Sequence, residues 1–239
     1  MRIFFVALIA ICVSFPAFSQ SNPSEKKFDI NKAGDHIMIQ LGLNSLTGAP
    51  DSISSHIKGF QRSANVYAMF NKPFKSNPKL AVAFGAGVST ANFYFKGMIV
   101  DIASKQSVLP FNDVDSANNF KKFKMGVTYL EAPLEFRFTA NPEQPNKSIK
   151  AAIGVKVGLL VSAKTKGKTL RNASGTVIND YTEKVSTKNY FNSSRLSGIA
   201  RVGYGNFSVF GAYSFTSLFK DGVAANMKPL QIGLCISGL

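Results

Sequence analysis

The chain has 239 residues, a formal charge of +15, 45% hydrophobic side chains, two cysteines and no tryptophan. Only Cys235 lies outside the amino-terminal leader, which excludes an internal disulfide framework in an exported chain. No apolar run beyond the leader reaches the roughly 20 residues of a spanning helix, so a membrane crossing would have to be made by strands.

Residues 1–19 read as a secretory signal peptide, with Arg2, the apolar run Ile3 to Val13, and Ala17-Phe18-Ser19 as a small-x-small cleavage site. Cys12 follows Ile11 inside that run, where a lipoprotein signal would need a small residue. Losing Arg2 with the leader lowers the charge from +15 to +14. In an exported protein that excess points to lipopolysaccharide phosphates or other anionic glycans, with no role for nucleic acid. Residues 20–35 are polar and read as a periplasmic arm, which leaves 36–239 for one domain.

That domain alternates with a period of two. His36 to Leu43 sets Ile37, Ile39, Leu41 and Leu43 against Met38, Gln40 and Gly42. After a serine-rich loop, Ser63 to Phe74 sets Val66, Ala68 and Phe70 against Asn65, Tyr67 and Met69. Leu80 to Phe95 carries large apolar residues on one side and Ala81, Ala83, Gly85, Gly87 and Ser89 on the other. Lys96 to Lys122 reads as a long loop. Tyr129 to Phe138 and Ile149 to Ala163 form a hairpin around NPEQPNK, with Leu130, Leu134, Phe136, Ile153, Val155 and Val157 on the apolar face. Thr165 to Ser194 reads as a second long loop. Arg195 to Tyr204 and Phe207 to Phe219 are joined by Gly205-Asn206, a tight-hairpin signal. A last loop, Lys220 to Lys228, precedes a strand with Leu230, Ile232, Leu234, Ile236 and Leu239 outside.

Long connections after the first, third and fifth strands alternate with short ones after the second, fourth and sixth. The expectation is an all-β fold, an eight-stranded antiparallel up-and-down transmembrane barrel with both termini in the periplasm. A soluble lipocalin-like barrel would also be antiparallel, but its solvent face should carry Lys, Glu and Thr where this chain has Ala, Gly, Ser and Gln.

The segments TYLEAPLEFRF and AAIGVKVGLLVSAK, with the apolar closing strand, resemble the PorT-like outer-membrane β-barrel proteins of Bacteroidetes. That resemblance implies a small outer-membrane barrel and carries no particular activity with it.

Glu131, Glu135, Lys156 and Arg201 fall on the inward faces of adjacent strands. Eight strands leave an interior just wide enough for side chains, so these four are expected to form a structural, self-neutralising lumen network in which Glu135 meets Lys156. The rival reading is an ion-selective constriction. His36 and His56 lie apart without a cysteine partner, so no metal site is expected. Ser55-His56 with Asp51 nearby lacks further triad spacing, and Gly167-Lys168-Thr169 fails as a phosphate loop because Ser162 stands where glycine is required. No catalytic or cofactor-binding residue is assigned. Lys121, Lys122, Lys124, Lys164, Lys166 and Lys168 form an external rim able to grip lipid phosphates, and Phe70, Phe138, Tyr204, Phe207 and Tyr213 supply the interfacial aromatics. The reading is a monomeric, non-enzymatic outer-membrane protein, inserted by the barrel-assembly machinery, whose external loops carry any recognition. A small-solute channel, a lipid-modifying enzyme and a soluble periplasmic binder are the alternatives.

Overall fold

Strand alternation closes into a barrel in the computed structural model, which describes residues 37–238. The barrel strands are β1 (Ile37–Thr47), β2 (Gln61–Pro73), β3 (Leu80–Phe95), β6 (Asn119–Thr139), β7 (Ile149–Arg171), β9 (Ser194–Tyr204), β10 (Phe207–Ser214) and β11 (Lys228–Ser237). Each pairs antiparallel with its neighbours, β6 pairs with β7, and β1 pairs with β11, so eight strands form a closed ring. Three further strands lie outside the ring: β4 (Met98–Val100) pairs with β5 (Phe111–Asp113), and β8 (Val177–Ser186) extends the sheet beside β7. Residues 1–36 and Leu239, which carry the expected leader, the arm, His36 and the last outer-face leucine, lie outside the described residues.

The apolar faces point outward. Leu41, Ile153, Leu159 and Leu234 are at least 60% exposed, whereas Tyr67, Met69, Ala83 and Cys235 are fully enclosed. A water-soluble barrel would reverse those two sets, because exposed apolar area of this extent is stable only against lipid. Small inward residues let the wall approach its filling closely. A Cβ added to Gly85 or Gly87 would lie 2.1 Å from a β2 carbonyl oxygen.

Several boundaries differ from expectation. The region expected as one loop over residues 96–122 holds the β4–β5 hairpin and the beginning of β6. The one expected over 165–194 holds the end of β7 and all of β8, a two-stranded ribbon that rises beyond the ring. The seventh barrel strand stops at Ser214, and Phe219 instead bridges to Phe191. The 96–122 region reads as a loop because its apolar residues point inward: Val100, Ile102 and Leu109 join Ile53, Phe93, Phe95, Phe123, Met125 and Phe219 in one apolar core. That core caps the end of the barrel where the long connections gather, the loop end. The short turns gather at the opposite, turn end. Tyr190 fastens the cap by donating its hydroxyl to the carbonyls of Ser104 (2.7 Å) and Gln106 (2.8 Å).

One irregularity in β7 decides which side chains face outward above the apolar belt. Thr128 pairs with Ser162 and Tyr129 with Leu160, which leaves Val161 as the extra residue of a β-bulge. The added residue inverts the alternation. Before it, Lys156 and Leu160 are enclosed; after it, Ala163 and Thr165 are enclosed, and Lys166 and Lys168 are exposed.

Candidate functional site

Two glutamates organise the interior, and each sits between small neighbours. Glu131 is flanked in register by Gly87 and Gly158, and Glu135 by Ala83 and Gly154. The missing side chains on either side leave room for a carboxylate and the cations drawn to it.

Around Glu131, Tyr67 donates its hydroxyl to Oε2 at 2.5 Å, and Lys156 Nζ lies 3.3 Å from the same oxygen. Arg195 donates to Oε1 through Nε (3.1 Å) and through Nη2, and donates to Ser89 Oγ at 3.0 Å. Its guanidinium stacks 4.1 Å from the centroid of the Tyr129 ring. Ser89 donates in turn to Asn65 Oδ1, and Asn65 donates to Gln40 and Gln231. This single polar layer therefore draws side chains from every barrel strand except β10. Around Glu135, Arg137 Nε and Arg201 Nη2 donate to Oε2 at 2.8 and 3.0 Å, and Arg201 reaches Ser237 Oγ at 3.4 Å.

All four expected lumen residues are thus buried inside, but in two clusters instead of one. Lys156 pairs with Glu131, which corrects the expected Glu135–Lys156 contact. Sequence reasoning assigned neither Tyr67, Arg137 nor Arg195 to the network. With Arg137 and Arg195 included, four cations surround the two carboxylates among the described residues. Arg195 was detectable, since Arg195, Ser197, Ile199 and Arg201 share one strand parity.

Ser55 and His56 lie beside a one-turn helix, Asp51–Ser54, in the β1–β2 connection. His56 Nδ1 contacts the Ser52 carbonyl at 3.0 Å and Ser55 Oγ at 3.2 Å. A carbonyl only accepts, so Nδ1 carries the proton and is not free to take one from Ser55. Nε2 lies 3.7 Å from both Asp113 and Asp115, which come from the β4–β5 region and not from the neighbouring Asp51. The fold thus gives His56 two acidic neighbours that its sequence surroundings did not show.

On the outer wall a cleft of about 590 Å³ is lined by Lys58, Arg62, Lys121, Lys122, Lys124, Lys166 and Lys168 with Phe60, Tyr94, Phe95 and Phe123, and no acidic residue. Lys122 lies opposite Lys168, and Lys124 opposite Lys166.

Residues 18–220 match the family described as outer membrane protein beta-barrel domain. The chain belongs to that family. As an outer membrane protein beta-barrel domain it is located in the outer membrane, in contact with the lipids there. Among solved structures it is similar to Ail, the attachment invasion locus protein of Yersinia pestis, alone and in complex with the heparin analogue sucrose octasulfate. Identity is 14% in both cases, over 86% of this chain and 97% of that one, with TM-scores of 0.35 and 0.36. No curated protein matches the chain.

Proposed function

We propose that this outer-membrane barrel is a non-enzymatic, non-conducting surface protein whose filled interior supports an ordered structure at its loop end. The observation that carries this reading is the polar layer around Glu131, built from seven strands, with an apolar cap above it. The six charged side chains of the two clusters are a filling held by mutual contacts, and Glu131, Glu135, Lys156 and Arg201 act as structural residues there. The loop end faces outside the cell, in keeping with the short periplasmic turns of such barrels. Residues 1–19 serve as the export signal, residues 20–35 as a periplasmic arm, and a single chain inserts through the barrel-assembly machinery. The segments TYLEAPLEFRF and AAIGVKVGLLVSAK support a PorT-like relationship within the wider family.

An enzymatic reading is less well supported, because the Nδ1 proton of His56 faces the Ser52 carbonyl and leaves Ser55 without a base. Conductance of the refolded protein in planar bilayers tests the proposal. The expected result is a flat baseline at physiological salt, and stable unitary currents that change when Glu131→Gln is introduced would overturn it. Protease added to intact cells should cut at Arg171 or Lys184 in the β7–β8 ribbon and spare Lys147. The opposite pattern would reverse the orientation.

A further inference from the structure

We propose that the cationic cleft on the outer wall of β2, β3, β6 and β7 binds the phosphates of lipid A, the acylated and phosphorylated glucosamine lipid of the outer leaflet. The inference rests on the orientation given above and adds a specific partner and site to it.

Three adjacent strands pass from apolar to cationic in matching steps on their outward faces. The row Val88, Leu130 and Leu159 is followed by Thr90, Thr128 and Ser162, then by Asn92, Gly126 and Lys164, then by Tyr94, Lys124 and Lys166. Six residues along β6 lead from Leu130 in the last apolar row to Lys124, roughly 20 Å along a strand at about 3.3 Å per residue. The paired lysines therefore stand beyond the apolar belt, on the side of it where polar headgroups begin. The bulge at Val161 puts the β7 lysines on this face, since unbroken alternation would have turned them into the barrel.

The cations are arranged at a cost to the isolated protein. Like charges directly opposite across a ladder destabilise it, and two such pairs stand side by side here. Among the described residues no carboxylate lies within ion-pair distance of these lysines. Glu183 is close in sequence register, but it lines a separate cleft with Thr165 and Gly167 on the opposite face of the ribbon. Lys124 is held by Asn92 Oδ1 at 2.9 Å and lies 5.7 Å from the Tyr94 ring centroid, a fixed position for a donor that an anion can use. The patch is one-sided. At matching height β10 presents Tyr213, followed by Phe215, and β1 presents Ser45 and Thr47, with Lys228 of β11 opposite Thr47 as the single cation there.

The test uses the refolded barrel in detergent micelles and native mass spectrometry, with bis-phosphorylated lipid A, its dephosphorylated form and its deacylated form as probes. Bis-phosphorylated lipid A should bind at least tenfold more tightly than either of the others, and inorganic phosphate should not compete. The variant Lys124→Gln/Lys166→Gln/Lys168→Gln should lose that tenfold preference while keeping heat-modifiable gel mobility. Equal binding of the dephosphorylated form overturns the phosphate site, and equal binding of the deacylated form makes it a soluble-glycan site and overturns the lipid assignment. Retained preference in the variant also overturns the proposal. A barrel that folds and shows no preference defeats the site alone. A reversed protease pattern on intact cells defeats the orientation, and the site with it.

Discussion

Lys156 Nζ lies 3.3 Å from Glu131 Oε2 although the two residues are not opposite each other across the β6–β7 ladder. Glu131 faces Gly158 and Lys156 faces Pro133, so the ion pair runs diagonally through the space that Gly158 leaves empty. Removing one member of such a buried pair costs about 3–5 kcal/mol. Glu131→Gln and Lys156→Met should each lower stability by that order in urea titrations of the vesicle-embedded protein. Their double-mutant cycle should show a coupling of about 0.5–3 kcal/mol. The cycle of Glu135→Gln with Lys156→Met should show less coupling, and the reverse ranking would restore the pairing read from sequence.

The two β7 glycines beside the glutamates should respond differently to one added methyl group. At Gly154 a Cβ would lie 2.1 Å from the Leu134 carbonyl oxygen, which is backbone and cannot yield. At Gly158 it would lie 3.1 Å from Glu131 Cγ, a side-chain atom that can. Gly154→Ala should therefore destabilise by about 1–3 kcal/mol, the usual range for overpacking, and Gly158→Ala by clearly less. Equal midpoints for the two variants would contradict this account.

Phe136 is 45% exposed on the outer wall and packs against Phe74 with ring centroids 6.1 Å apart. A lysine there would face the lipid. Phe136→Lys should cost about 2–4 kcal/mol if the position is near the midplane. Refolding into vesicles measures it, and an unchanged midpoint would place this face in water.

Deleting Val161 removes the extra residue of the bulge, so that Ser162 follows Leu160 directly and keeps its place opposite Thr128. Lys164, Lys166 and Lys168 should then stay on the outer wall, because the register with β6 needs no change. A membrane-impermeant amine reagent should modify Lys166 as readily after the deletion as in the parent protein, with heat-modifiable mobility retained. Loss of Lys166 labelling would show that β7 had slipped by one residue against β6.

The apolar belt was legible because lipid imposes a strict period of two on Leu130 to Phe138 and Ile149 to Leu159. The ring of eight followed from the count of such runs. Above the belt, lipid no longer faces the wall, and inward Val100, Ile102 and Leu109 stand among polar residues; the 96–122 region resembles a loop until their partners are known. The bulge at Val161 was hidden for another reason: an extra residue shows only in the pairing of Thr128 with Ser162 and Tyr129 with Leu160. Inward charge was readable from parity, as Glu131, Glu135, Lys156 and Arg201 show. Choosing Glu131 as the partner of Lys156 depends on which neighbour is glycine, a property of register that no single strand contains.

The ring closes where β1 meets β11, with Met38 opposite Ser237 and Thr47 opposite Lys228. Those strands begin and end the barrel, so this seam joins the residues farthest apart along the folded chain. Any state in which β1 and β11 have not met has two bare edges and an open interior, and its charged residues lack the enclosure that makes their contacts strong. The ordering of the whole lumen is thereby tied to the pairing of the most distant strands.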